Sequence, residues 1–197
     1  MDPSIKIKAE PQNNDSCRFV VDRPVYEGGS AYFDNKDRAA GSPLAEKLLD
    51  IDGVDSVLIQ DHLVTVNAQS GGDWMPLAKQ VGAAIRFVLQ SDEKAVSDSV
   101  KEAIPSAEKI AERVKDVLEK EINPAIASHG GFISLIDVRG NEVFIQMGGG
   151  CQGCGMADVT LKQGVEKAIR DQVPEVGAIM DTTDHAGGRN PYYQQSK

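Results

Sequence analysis

The chain of 197 residues carries a formal net charge of −9, with 41% hydrophobic residues, 26% charged residues and only 5% aromatics. That composition can bury a core and excludes disorder throughout, and the scarcity of aromatics suits small aliphatic cores. The acidity excludes the clustered Lys and Arg of a nucleic-acid footprint, and no window approaches the roughly 18 consecutive apolar residues of a membrane span, so neither nucleic acid nor membrane is expected as a partner.

Residues 1–16 are polar and read as a disordered arm. They have no apolar stretch of a secretory signal, and their acids and amides do not fit a transit peptide; a cytoplasmic location is expected. A first domain over 17–91 opens with "CRFVVDRPVY", a strand that Pro24 confines to an edge or an end. A short extended piece follows the glycine turn in "EGGSAYF". Ser42-Pro43 then predicts a helix start, serine as cap and proline at the first helical position, with Leu44, Leu48 and Leu49 on its apolar face. "VDSVLIQ" and "HLVTVNA" predict a hairpin turning near Asp61-His62. Asp73 is the expected cap of a second helix whose Leu77, Val81, Ile85 and Val88 repeat every three or four positions. The order is ββαββα. The polar residues 92–106 then read as a flexible linker.

A second domain over 107–180 opens with a helix striped by Ile110, Val114, Val117, Leu118 and Ile122, which Pro124 bends or ends. "FISLIDV" and "EVFIQM" flank "RGN" as a hairpin. A glycine-rich loop with Cys151 and Cys154 comes next. Behind it lie a helix carrying Leu161, Val165, Ala168 and Ile169, a stop at Pro174 and a last strand in "VGAIM". The order is αββαβ, and residues 181–197 form a polar tail. The fold class is therefore α+β, as two small domains joined by a linker.

The chemistry lies in "MGGGCQGCGMADVTLKQG". Cys151 and Cys154 sit between a strand and a helix, where free first-turn amides and the helix dipole stabilise thiolates. The surrounding glycines leave backbone bare for tight turns and amide-to-sulfur hydrogen bonds. Three readings compete: an incidental apolar pair, a dithiol–disulfide oxidoreductase, and a metal or iron–sulfur site. A colourless zinc-stapled interaction module is a variant of the third. A reducing cytoplasm disfavours a structural disulfide.

Zinc sites and [4Fe–4S] clusters want four protein ligands, and the chain holds only three cysteines and three histidines. Cys17 falls in the first domain as a core or surface residue, and His62, His129 and His185 are scattered. The hypothesis that follows is a C2 dimer in which each chain donates Cys151 and Cys154. Met147 and Met156 are candidates either for apolar shielding of the site or for ordinary packing. Lys162, about one turn beyond it, is a candidate countercharge or a plain surface residue.

The stretch "INPAIASHGGFISLIDVRGNEVFIQMGGGCQGCGMADVTLKQGVEKAI" closely resembles the C-terminal domain of the NifU/Nfu family of iron–sulfur carriers. It matches through Pro124, Gly130-Gly131, the hairpin, Gly150-Cys151-x-Gly153-Cys154 and Thr160-Leu161-Lys162-x-Gly164. Met156, Asp158-Val159, His129 and Tyr192-Tyr193 are similar to its NfuA-like members. "GSPLAEKLLDIDGVDSVLIQDHLVTVNA" with Trp74 resembles the Nfu N-terminal domain. The resemblance implies a non-enzymatic carrier of a labile [4Fe–4S] cluster held between two subunits by Cys151 and Cys154. It implies a homodimer when loaded, iron–sulfur scaffold proteins as donors and apo iron–sulfur enzymes as clients, with the first domain helping to dock the client.

Overall fold

The computed structural model describes residues 5–68, 74–91, 93–149 and 157–183. The chain divides into two units, Met1–Ala103 and Ile104–Lys197. Both mix helix and sheet, as the sequence pattern predicts.

In the first unit, β1 (Ile7–Pro11), β2 (Ser16–Val21), β3 (Tyr26–Phe33), β4 (Val54–Asp61) and β5 (Leu63–Ala68) form one antiparallel sheet in the order β1-β2-β5-β4-β3. Helices α1 (Lys36–Ala39), α2 (Pro43–Leu49), α3 (Trp74–Leu89) and α4 (Asp98–Glu102) complete it. Alternation sets the buried face: Cys17, Phe19 and Val21 of β2 point into the core with Val64 and Val66 of β5. From α3 the predicted Leu77, Val81, Ile85 and Val88 all close that core. The hairpin turns where expected, with Asp61 at a φ of +44°.

Three expectations for this unit are corrected. The arm is not disordered from Ile5 onward: Ile5 is buried and β1 pairs with β2 from Ile7↔Val21 to Pro11↔Cys17. Buried Ile5 and half-buried Ile7 alternate with exposed Lys6 and Lys8, and the charges conceal a strand. The stretch read as a linker is partly built into the core, with Ala95 and Val96 buried and the Leu44 N–H donating to the Ala95 carbonyl. Finally, Ser42 makes no side-chain cap; it is buried and its Oγ accepts a 3.1 Å bond from the Ser97 N–H. Its hydroxyl thus ties down the segment that composition left loose. The predicted cap Asp73 lies outside the described residues.

The second unit follows the predicted order αββαβ. Helix α5 (Ala107–Val117) runs into a π-helical turn, Leu118–Ile122, then α6 (Asn123–Ile126) and a 3-10 turn, Ala127–His129. The wide turn lies just ahead of Pro124, whose ring clashes with the carbonyl four residues back in a regular helix. Strands β6 (Gly131–Arg139) and β7 (Glu142–Gly149) form the antiparallel hairpin. Helix α7 (Ala157–Gln172) then crosses back so that β8 (Ile179–Asp181) pairs parallel to β7. The stripe of α5 packs with Ile133, Ile145, Met147, Val165 and Ile169 into a second core.

Candidate functional site

Both cysteines of the CxxC pair lie outside the described residues, as do Met156 and the tail residues Tyr192-Tyr193. The structure instead shows what holds the segment that contains them. Strand β7 delivers the chain at Gly149 and α7 receives it at Ala157.

The strand end is pinned from three sides. In the register Phe132↔Gly148 and Gly131↔Gly149 the two strands stay paired to the last residue of β7. The Phe132 ring lies flat on Gly148, and a Cβ at Gly148 would come 2.2 Å from the ring's Cζ. Gly149 has a φ of +65°, and a Cβ there would meet the Gly130 carbonyl oxygen at 2.2 Å. At Gly148 any larger residue must displace the Phe132 ring, whereas at Gly149 the positive φ and the Gly130 carbonyl admit only glycine.

On the other side of β7, the Met147 N–H donates a 2.7 Å bond to Thr183 Oγ1, and that hydroxyl in turn donates to Asp181. The free edge of β6 is held by Asn123. Its Oδ1 accepts from the Ile133 N–H at 2.7 Å and its Nδ2 donates to the Ile133 carbonyl at 3.0 Å. One carboxamide thus imitates a neighbouring strand and covers an edge that would otherwise be open to pairing.

The receiving helix is equally fixed. Val165 and Ile169 of α7 are buried, and Arg170 donates from Nη1 to Glu166 and from Nη2 to the Gly177 carbonyl, both at 2.9 Å. Arg113 grips Glu175 with two 3.0 Å contacts and the Gln172 carbonyl at 2.7 Å, fastening α5 to the end of α7.

The other candidates separate cleanly. Met147 is fully buried in the second core, which makes it a packing residue. Cys17 is fully buried in the first core, where burial pushes its thiol pKa up and so favours an inert protonated sulfur. His62 stands beside Asp61 at 3.6 Å on the hairpin turn. Among the described residues no group of three His, Cys, Asp or Glu side chains comes together to hold a metal. Trp74 is a packing anchor, half-buried against the first core with its Nε1–H donating to the Asn14 carbonyl at 2.9 Å.

Sequence reasoning missed Phe132 and Asn123. Phe132 was signalled by its outward place in the alternation of β6, where an aromatic is unexpected. Asn123 had no signal, because its partner is backbone ten residues away.

The family model described as "NifU-like domain" matches residues 114–180, and that described as "Scaffold protein Nfu/NifU N terminal" matches residues 5–92. The chain is similar to "Fe/S biogenesis protein NfuA" of Xanthomonas euvesicatoria pv. vesicatoria, 39% identical over 165 residues that cover 78% of this chain and 80% of the relative. It is also similar to the proteins of that name from Pseudomonas aeruginosa and Stenotrophomonas maltophilia. The first is 52% identical over 85 residues, covering 43% of this chain and 44% of the relative; the second is 53% identical over 92 residues, covering 46% of each.

Proposed function

Since the chain belongs to the NifU/Nfu family of iron–sulfur biogenesis proteins, we propose that it is a cytoplasmic carrier, not an enzyme. Its cargo is a labile [4Fe–4S] cluster, bound between two subunits by Cys151 and Cys154 of each and delivered to apo-proteins. The observation that carries this reading is the pairing of a two-thiol segment with rigid ends. Seven residues, 150–156, hold both sulfurs and join a pinned strand to a fixed helix, while the third cysteine is buried elsewhere.

Two thiolates per chain cannot saturate a cubane, so a second copy completes the set of four. The cysteines directly precede α7 in the chain, and a helix N-terminus favours charged thiolates. Delivery is ligand exchange: an incoming client thiolate bonds to an iron as one Sγ of the carrier leaves, with no change in electron count, and repetition moves the cluster. Clusters reach the carrier from a scaffold protein by the same exchange run the other way. The pinned ends keep the protein folded whether loaded or empty, because the described residues alone form two packed cores.

The test is transfer. The full chain, reconstituted anaerobically with iron and sulfide, is mixed with an apo iron–sulfur enzyme and the gain of client activity is followed. Wild-type protein should activate the client faster than the same amount of free iron and sulfide. Cys151→Ser and Cys154→Ser should not. Equal activation by either variant overturns the proposal.

A further inference from the structure

Outside the loop, the second unit carries an open apolar groove of about 720 Å3. Ile122 and Ile126 line one wall; Leu161, Gly164, Val165 and Ala168 of α7 line the other. The α7 residues recur at i, i+3, i+4 and i+7, the spacing of a helix–helix seam, yet among the described residues no third helix occupies it. Glu121, which also lines the groove, accepts a 3.1 Å bond at Oε1 from the Gln172 Nε2–H. At the Leu161 and Ile126 end it runs toward the segment holding the cysteines, since Leu161 is only four residues past the start of α7.

We propose that this groove seats α7 of a second copy of the chain, so that the cluster-sharing pair is also a helix-seamed pair. This rests on the carrier reading above, which supplies the need for a second copy. Orientation follows from the same need. Two α7 helices crossing antiparallel at Gly164 would send their N-terminal loops to opposite ends, too far apart to share one cluster. Side by side and pointing the same way, around an axis along the helices, they bring both loops to one end. Leu161 of each copy then enters the other's groove, and the contact is reciprocal, as a two-fold axis requires.

Gly164 permits the approach, because a Cβ there would meet nothing within 4 Å. The seam from Leu161 to Ala168 is only about 10 Å long, short of the roughly 800 Å2 per partner of a stable interface. The thiolate–iron bonds must supply the remainder, so the pair forms on loading and dissolves as the cluster leaves.

Gly164→Trp tests the seam, since Gly164 lines the groove and a Cβ there meets nothing within 4 Å. The apo variant should keep the wild-type circular dichroism. On anaerobic reconstitution it should lose its cluster at least about tenfold faster than wild type and should not gain dimer mass. In the wild type, the methyl signals of the groove's exposed and half-buried residues Ala125, Leu161 and Ala168 should become protected from a soluble paramagnetic chelate on loading. A loaded, dimeric Gly164→Trp with wild-type cluster lifetime, or groove methyls as exposed in the loaded protein as in the apo form, overturns the seam and leaves the carrier reading intact. Wild-type protein that takes up no cluster, or holds one as a monomer, overturns the carrier reading and the seam together.

Discussion

Gly148 and Gly149 are adjacent and both crowded, yet alanine at the two positions should behave very differently. At Gly148 the obstacle is the Phe132 ring, 2.2 Å from the would-be Cβ but the movable end of a side chain that is 54% exposed. Swinging clear forfeits at most the buried half of a side chain that covers roughly 200 Å2, which at ~25 cal/mol per Å2 is about 2 kcal/mol. At Gly149 the obstacle is the Gly130 carbonyl oxygen, also at 2.2 Å, and the backbone has a φ of +65°. An L-residue there costs ~1–2 kcal/mol in conformation and about the same again or more in forced strand separation, some 3–4 kcal/mol in all. Hydrogen exchange of the β6 and β7 amides reads these costs as local opening free energies. Phe132→Ala should rescue Gly148→Ala, so that the double variant is no less stable than Phe132→Ala alone, a coupling of about 1–2 kcal/mol. It should leave Gly149→Ala unrescued. A tolerated Gly149→Ala, or a Gly148→Ala that Phe132→Ala does not relieve, refutes the register and with it the description of how the cysteine segment is held.

Asn123→Ala removes two hydrogen bonds from Ile133, of 2.7 and 3.0 Å. It should weaken the start of β6 by about 2 kcal/mol, seen as faster exchange there; unchanged exchange would show that water replaces the clamp. Cys17, buried with a raised pKa, should resist alkylation at neutral pH until denaturant is added, and Cys17→Ala should leave cluster content unchanged; rapid labelling of the folded protein at Cys17 contradicts its place in the core. Chelation of the loaded protein should remove iron and colour while circular dichroism and melting temperature of the apo form persist, since the described residues alone already form two packed cores. Unfolding on chelation points to a structural metal instead.

The elements legible in the sequence were those whose pattern is local. The stripe of α3, the hairpin of β6 and β7, and the α7 face through Val165 and Ile169 each need only periodicity and a turn signal. What escaped is tertiary. β1 looked like a polar arm because of its charged residues, and only pairing with β2 shows that Ile5 and Ile7 belong to a strand packed on the first core. Ala95 and Val96 are too few to read as core until Ser42 and Leu44 are found bonding to that segment. The Asn123 clamp, the ring of Phe132 on Gly148 and the Leu161–Ala168 groove depend on register and on which helix lies beside which, and one-dimensional spacing does not contain that. The cysteine pair was singled out from chemistry alone, by two thiols, a glycine-rich stretch and a helix start, and lies outside the described residues.

Iron and sulfide per chain, determined on anaerobically reconstituted wild-type protein together with its mass by native mass spectrometry, test the central claim most directly. A dimer carrying one [4Fe–4S] cluster, half a cluster per chain, is expected from a protein that is monomeric when empty. A monomer holding a complete cluster, or a colourless protein holding zinc, would contradict it.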